Sequence, residues 1–246
     1  MKISIVTAVY NNSLTIGAAL NSVLQQTDVD CELIVIDGQS TDGTYEELEC
    51  FRDKIDILVR EPDEGMWDAL NKGISKASGG VIGFMHSDDL FYDSQVLKDI
   101  SAAFEDPGVD GVYGDLEYVH KTQVDRVFRK WTAGEFSPKK LSWGWMPPHP
   151  ALYLRRSVYE KVGNFDLKYS IASDYDYILR VFSRPKFRAV YIPSVLVKMR
   201  VGGLSNRNIG NIIQKSKEDY IALRSNRIGG VGALMWKNMS KLGQLI

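Results

Sequence analysis

Along the first hundred residues, short unbroken apolar runs alternate with segments whose apolar positions recur every three or four residues. "KISIVTAVY" (2–10), "ELIVIDG" (32–38), "IDILVRE" (55–61) and "VIGFM" (81–85) have the pattern of strands covered on both faces. Between them, Ile16, Leu20, Val23 and Leu24 fall at helical spacing, and a helix is expected near 43–52. Met66, Ala69, Leu70, Ile74 and Ala77 mark the next helix face, and a further helix is expected from about 94 to 105. Strands alternating with helices predict βαβ units and a parallel sheet. In such sheets ligands bind beyond the carboxyl ends of the strands. The polar residues gather there four times: Thr7, Tyr10 and Asn11, then Asp37 to Thr44, then Arg60 to Glu64, then His86 to Asp89.

The second half is less regular. "GVYGDLEYV" (111–119) and "VDRVFRKW" (124–131) read as paired strands, and "LSWGWMPPHPALYLRR" (141–156) as an aromatic, proline-containing loop entering a strand. "ASDYDYILRVFS" (172–183) predicts a helix starting near Ser173 or Asp174. "FRAVYIP" and "VLVKMRV" predict two more strands, and a polar helix is expected from Asn208 to about Arg224. No repeat or linker separates two units, so the halves are expected to share one sheet.

Composition narrows this little. The 246 residues are 44% hydrophobic and 25% charged with a formal net charge of -1, which gives no support to a nucleic-acid partner. Cys31 and Cys50 are too few for a disulfide framework and are expected as free thiols in a reducing compartment. No run approaches the roughly 20 apolar residues of a membrane span, and "MKISIVTAVYNN" is too short in its apolar part for a signal peptide. The expected location is cytoplasmic.

The candidate chemistry sits in four segments. In "HSDD" (86–89) a buried strand delivers two carboxylates to its own end, where burial is costly unless a cation or donors compensate. One acid there is explained by the start of the next helix. Two acids and a histidine suit a divalent cation bridging phosphates. "DGQSTDGT" (37–44) is either a capped strand–helix turn or, through Asp37, an acceptor for a base or ribose donor. In "SDYDYILR" (173–180), Asp176 and Arg180 have the spacing of a helical ion pair, and Asp174 is either solvated or a general base aimed into the cleft. "WGWMPPHPALY" places Trp143, Trp145 and His149 beside a strand, as aromatic core or as a sugar-stacking wall.

The ordered set "SIVTAVYN", "ELIVIDGQSTDGT", "EPDEGMWDALNKGISKASGGVIGFMHSDD", "HPALYLRRSVYEKVGNFD", "SDYDYILR" and "VGGLS" resembles family 2 glycosyltransferases of the GT-A fold, over about residues 1–205. That group builds bacterial capsule, exopolysaccharide and lipopolysaccharide sugars. The resemblance implies an α/β fold, a Rossmann-like and mostly parallel central sheet flanked by helices, with a small additional antiparallel region. It implies a single domain over 1–205, with a nucleotide-binding half (1–115) and an acceptor half (116–205), and a helical extension over 206–246. It implies an inverting enzyme moving a sugar from a UDP- or GDP-linked donor to a saccharide or polyprenyl-linked acceptor in cell-surface polysaccharide synthesis. Thr7, Val9 and Tyr10 would line the base, Asp37 would hydrogen-bond it, and Asp42 would belong to the same wall. Asp68 and Asn71 would reach toward the nucleotide, with His86 and Ser87 beside the donor. Asp88 would bind Mg²⁺ or Mn²⁺, Asp89 would face the donor sugar or stabilise the turn, and Asp174 would be the catalytic base. Trp145 and His149 would lie on the acceptor side. His86 stands where many relatives carry an acid, so it adds no negative charge and leaves Asp88 as the main metal ligand.

Two other functions fit the scaffold less well. A non-catalytic nucleotide-sugar-binding protein has no need of Asp174 together with the acids at 88 and 89. A nucleotidyltransferase calls for a Gly-rich, basic phosphate loop where this chain has "TAVYNNS". At the end of the chain, Val231, Leu234, Met235, Met239 and Leu242 fall at helical spacing. That helix is expected either to pack on the body or a second subunit, giving a homodimer, or to lie in a membrane interface at the inner face of the plasma membrane.

Overall fold

The structure is a computed structural model that describes residues 1–201 and 209–240. The four apolar runs form parallel strands. Ile3–Val9 (β1) pairs with Cys31–Asp37 (β2) so that Val9 lies opposite Asp37. Ile57–Arg60 (β3) continues outward from β2, with Arg60 opposite Asp37. Val81–Phe84 (β4) lies on the other side of β1. Residues of opposite parity enter opposite cores, as the two-residue strand period requires. Ile3, Ile5, Leu33 and Val35 pack with Ile16–Leu24 (α1) and Val96–Ala103 (α4). Val6, Ile34 and Ile36 pack with Met66–Lys76 (α3) and Ser173–Phe182 (α7). Both layers approach closely: a Cβ on Gly73 of α3 would come within 2.2 Å of the Val6 side chain.

Beyond β4 the sheet changes direction without a break. Leu152–Arg155 (β8) is antiparallel to β4, and Gly111–Val119 (β6) is antiparallel to β8. Ala189–Arg200 (β9) runs parallel to β6, Leu90–Phe91 (β5) closes the far edge on β9, and Val127–Trp131 (β7) pairs antiparallel with β6. One sheet of nine strands therefore joins the two halves among the described residues. At the β4–β8 seam there is no room for a side chain on Gly83, where a Cβ would lie 2.2 Å from the Tyr153 ring. The remaining helices are Thr44–Glu49 (α2), Pro138–Leu141 (α5), Arg156–Val162 (α6), Ile209–Ser225 (α8) and Val231–Ser240 (α9).

Some expected boundaries move. The helix of 43–52 stops at Glu49 and gives way to a single 3₁₀ turn, Arg52–Lys54. The two strands expected over 187–193 and 195–201 are one strand, β9. Ile192 faces Gly114 and Val195 faces Asp115, so Pro193 and Ser194 bulge out of the ladder. Proline, which has no N–H to donate, interrupts the pairing locally without ending the strand. "VGGLS" beyond Val201 and the last residues of the C-terminal helix lie outside the described residues.

Candidate active site

The carboxyl ends of β1, β2 and β3 build one wall. Asp37 is fully buried at the end of β2. Its Oδ2 lies 3.3 Å from Arg60 Nε, and its Oδ1 accepts a hydrogen bond from Ser40 N–H at 3.1 Å. Arg60 also donates to Ser40 O and lies 4.0 Å over the Tyr45 ring. Tyr10, at the end of β1, is largely exposed. Gly38 keeps this wall narrow, since a Cβ there would meet Asp63 Oδ2 at 2.4 Å and the Tyr10 ring at 3.4 Å. Thr7 and Val9 are buried beneath, and Thr7 Oγ1 has no hydrogen-bond partner.

Asp42 acts within this loop. Its carboxylate accepts from Thr44 N–H and Oγ and from Ser13 N–H. The Thr44 hydroxyl contributes most to holding its pKa down at about 2. Asp68 accepts from Glu64 N–H at 3.1 Å and pairs with Lys72 at 3.1 Å, which closes the entry to α3. Asn71 does not reach toward the nucleotide side. Its amide accepts from Phe165 N–H at 2.9 Å and donates to Phe165 O at 3.0 Å, because a side-chain amide matches an exposed backbone N–H and C=O pair. Asp63, which periodicity and motif did not single out, is the acid that stands against Gly38 and Tyr10. Its place in the polar run Arg60 to Glu64 was the signal in the sequence, and Gly65 N–H donates to its carboxylate at 2.9 Å.

The acid segment divides its labour. Ser87 ties the β4 end to the β1–α1 loop, through Asn12 Nδ2 to its Oγ at 2.8 Å and Thr15 Oγ to its carbonyl at 2.9 Å. Asp89 is 1% exposed, and its Oδ1 accepts from Arg200 N–H at 3.2 Å, fixing the turn to the end of β9. Asp89 Oδ1 thus stabilises the turn, one of the two roles expected for this residue. Burial drives its pKa well up, Asp88 adds to this, and Arg200 opposes it. The Arg200 guanidinium donates to the Asp88 and Lys121 carbonyls, so the backbone of the turn is held on both sides. The Asp88 carboxylate accepts no hydrogen bond from the described residues.

Burial lowers the His86 pKa, while Asp88 and Asp174 both pull it up, which places the ring within electrostatic reach of both carboxylates. Burial thus favours the neutral imidazole of His86, and Asp88 and Asp174 are the charges that oppose it. Asp174 lies in the first turn of α7. Burial raises its pKa, Asp219 adds to the rise, and Lys215, Lys237 and the Tyr175 N–H, 2.7 Å from Oδ1, moderate it. A carboxylate with a raised pKa is a stronger base once deprotonated. Tyr118 of β6 lies within reach of Asp89, Asp174 and Lys215.

The placement of Asp174 depends on a residue 44 positions later, which the sequence reading did not identify. Glu218 of α8 is 8% exposed and accepts from Ser170 N–H and Oγ, Ile171 N–H and Ala172 N–H, at 2.8–3.2 Å. Ala172 is the residue that leads into α7. On α7 itself, Asp176 pairs with Arg180 at 2.8 Å and accepts from Asn226 of α8 at 3.0 Å, so the expected ion pair is buried rather than solvated.

His149 is core, not an acceptor contact. It is 6% exposed among Trp67, Phe84, His86 and Phe165, with ring centroids 5.2–5.8 Å away. Burial, with a smaller effect from His86, lowers its pKa to about 3, so it stays neutral. Trp145 donates Nε1–H to Ala133 O at 2.8 Å and packs on Tyr113, Phe136 and Phe182. One edge of it also lines a cavity of about 210 Å³ with Trp131, Trp143 and Trp236.

Among the described residues no three His, Cys, Asp or Glu side chains are grouped to enclose a metal ion. A cage made by protein alone is therefore not offered. Asp88, whose carboxylate accepts no hydrogen bond among the described residues, would suit a divalent cation that takes only one protein carboxylate.

A mostly parallel sheet with Asp37 and Asp88 beyond the carboxyl ends of β2 and β4 and the half-buried Asp174 at the start of α7 agrees with the GT-A class of sugar-transferring enzymes. The glycosyl transferase family 2 model matches residues 4–184, and the chain belongs to that family. It is 31% identical over 208 residues to a PGL/p-HBAD biosynthesis glycosyltransferase of Mycobacterium tuberculosis, covering 82% of this chain and 78% of that one. It is also 32% identical over 123 residues to Escherichia coli WfgD, a UDP-Glc:alpha-D-GlcNAc-diphosphoundecaprenol beta-1,3-glucosyltransferase, covering 50% and 48%. The fold matches S. aureus TarS 1-349 in complex with UDP-GlcNAc at a TM-score of 0.69 and 17% identity, covering 93% of this chain and 66% of that one. A mannosyltransferase from Pyrobaculum calidifontis in complex with GDP-Man and Mn²⁺ matches at 0.65 and 18% identity, covering 98% and 74%.

Proposed function

We propose that the protein is an inverting glycosyltransferase that moves a sugar from a nucleoside diphosphate to a hydroxyl of a saccharide or lipid-linked acceptor in cell-surface glycan synthesis. The observation that carries this reading is the family 2 match over residues 4–184, together with Asp37 and Asp88 beyond the carboxyl ends of the parallel strands β2 and β4. Residues 1–205 hold the donor wall and the base, and the extension from 206 braces the base through Glu218. The relatives, which include a UDP-glucose enzyme acting on a diphosphoundecaprenol-linked sugar, support the donor and acceptor classes.

In this reading Tyr10, Asp37 and Asp63 hold the base and ribose. Asp88 would hold a divalent cation, which would supply charge neutralisation for the departing diphosphate. Asp174 takes the proton of the acceptor hydroxyl as its oxygen bonds to the anomeric carbon and the bond to the diphosphate breaks. General-base assistance of this kind contributes about 10²–10⁴-fold. One base opposite the leaving group inverts the anomeric centre, by the geometric logic of inverting glycosidases. Neutral His86 donates or accepts a hydrogen bond at the donor without adding negative charge near the phosphates.

The test is isothermal titration against UDP and GDP, with Mn²⁺ or Mg²⁺ and then with EDTA. Metal-dependent binding of one nucleotide, weakened at least tenfold in Asp88→Ala, is expected. Failure of both nucleotides to bind a folded protein under every condition refutes the reading.

A further inference from the structure

The chain's five tryptophans are unevenly placed: Trp67 lies in the core, and the other four line one cavity. Two of those four, Trp143 and Trp236, remain 57% and 55% exposed with their rings 6.4 Å apart. They belong to the loop after α5 and to α9, which pack so closely that a Cβ on Gly144 would lie 2.6 Å from Ala233 O. Val231 and Met235 are 61% and 60% exposed on the same helix, one turn apart. The rim is basic for a reason visible in the sequence. Residues 136–159 and 220–240 contain no Asp or Glu, while Lys139 and Lys140 stand just before Trp143, and Arg224 and Arg227 just before α9. The overall charge of -1 thus conceals two cationic segments that meet where Gly229 of the α8–α9 turn comes against Ser142.

We infer that the face formed by Trp143, Met235 and Trp236, rimmed by Lys139 and Arg227, seats the protein on an anionic bilayer surface. Indole rings favour the headgroup level of a membrane, where an apolar body and an N–H are both accommodated. Basic residues beside them add attraction to anionic lipid that is worth about 1 kcal/mol each and is screened by salt. No described helix is long and apolar enough to cross a membrane, so the contact is interfacial. Lys237 links this face to the candidate base, since it lines the cavity, pairs with Asp219 at 2.8 Å and lies 3.1 Å over the ring of Tyr175, next to Asp174. The inference deepens the reading above by fixing the side from which a lipid-linked acceptor arrives.

The experiment is vesicle sedimentation with phosphatidylcholine alone and with phosphatidylcholine containing phosphatidylglycerol, at low and high salt. Expected is binding to the anionic vesicles that falls as salt rises, a fall of at least tenfold in partitioning for W143A/W236A, and a smaller fall for K139Q/R227Q. Nucleotide titration of the same samples establishes that the variants are folded and judges the enzymatic reading separately. Wild-type protein that binds nucleotide and ignores anionic vesicles overturns the inference, as does equal binding by W143A/W236A. Concentration-dependent dimerisation abolished by W143A/W236A would assign the face to a second copy and would also overturn it.

Discussion

Replacing Glu218 by Gln tests whether α8 holds the base in place. The wild-type carboxylate accepts four hydrogen bonds from residues 170–172 and another from Gln214 Nε2 at 3.1 Å. Burial alone would raise its pKa, but the N–H donors of Ala172 and Ile171, the Ser170 hydroxyl and Gln214 outweigh it and hold the pKa below the ordinary value. Gln keeps one acceptor and turns an NH₂ toward donors. Hydrogen bonds to a buried charge contribute about 1.5–3 kcal/mol each, and bonds sharing one group do not add, so a loss of about 2–4 kcal/mol is expected. For a chain of this size that corresponds to a fall of about 5–15 °C in Tm. A displacement of about 1 Å in a catalytic group can cost 10²-fold, so kcat should fall by that order while donor affinity stays within about twofold. Urea unfolding, nucleotide titration and initial rates with the donor that binds measure the three quantities. The sign of the pH effect adds a check. A depressed folded pKa gives stability that is present above the ordinary glutamate pKa and lost as pH falls toward the folded one. The gap between wild type and variant should therefore shrink as pH falls from 6 to 3. A gap below about 0.5 kcal/mol with unchanged kcat, or a gap independent of pH, refutes the bracing role.

Asp174→Asn should reduce kcat at least 10²-fold with donor binding retained. Because burial raises the Asp174 pKa, the acid limb of the wild-type rate profile should lie above the ordinary aspartate value, and the rate should rise with pH through it. Gly83→Ala should cost about 1–3 kcal/mol in urea unfolding, since the added carbon must displace the Tyr153 ring in a packed seam. Glu32→Gln should remove acid resistance. Burial pushes this carboxyl up, yet hydrogen bonds from Ser4, Ser78 and Lys2 bring it to about 2, so its stabilisation is complete above about 4.5 and lost as pH falls through 2. The wild type should outlast this variant between those values in a circular-dichroism pH titration.

The parallel half was legible because strands buried on both faces leave unbroken apolar runs: β1, β3 and β4 lie within the predicted ranges, and β2 starts one residue early, at Cys31. The edge carrying the site followed from the same logic. What escaped was governed by partners distant in sequence. Nothing near Glu218 signals that its four donors lie 46–48 residues earlier. Asn71 has the composition of a ligand-binding residue, yet a backbone pair 94 residues away satisfies it. His149 could be read as a sugar contact or as core, and only the ring packing decides between them. In β9, Pro193 and Ser194 resemble a break in the sequence, whereas the ladder on β6 tolerates them as a bulge.

The position of β4 also has a consequence for the order in which the protein is made. Its inner edge is taken by β1 as soon as residue 84 has emerged, whereas its outer edge waits for Leu154 and Arg155 of β8. During synthesis, roughly seventy residues separate an open, wholly apolar strand from its partner, at a stage when exposed edges recruit neighbouring chains. Asp88 and Asp89 follow that strand closely, and charged residues flanking an apolar strand oppose such recruitment. The two acids beyond the end of β4 thus guard the nascent chain, and neutralising both of them should lower soluble yield.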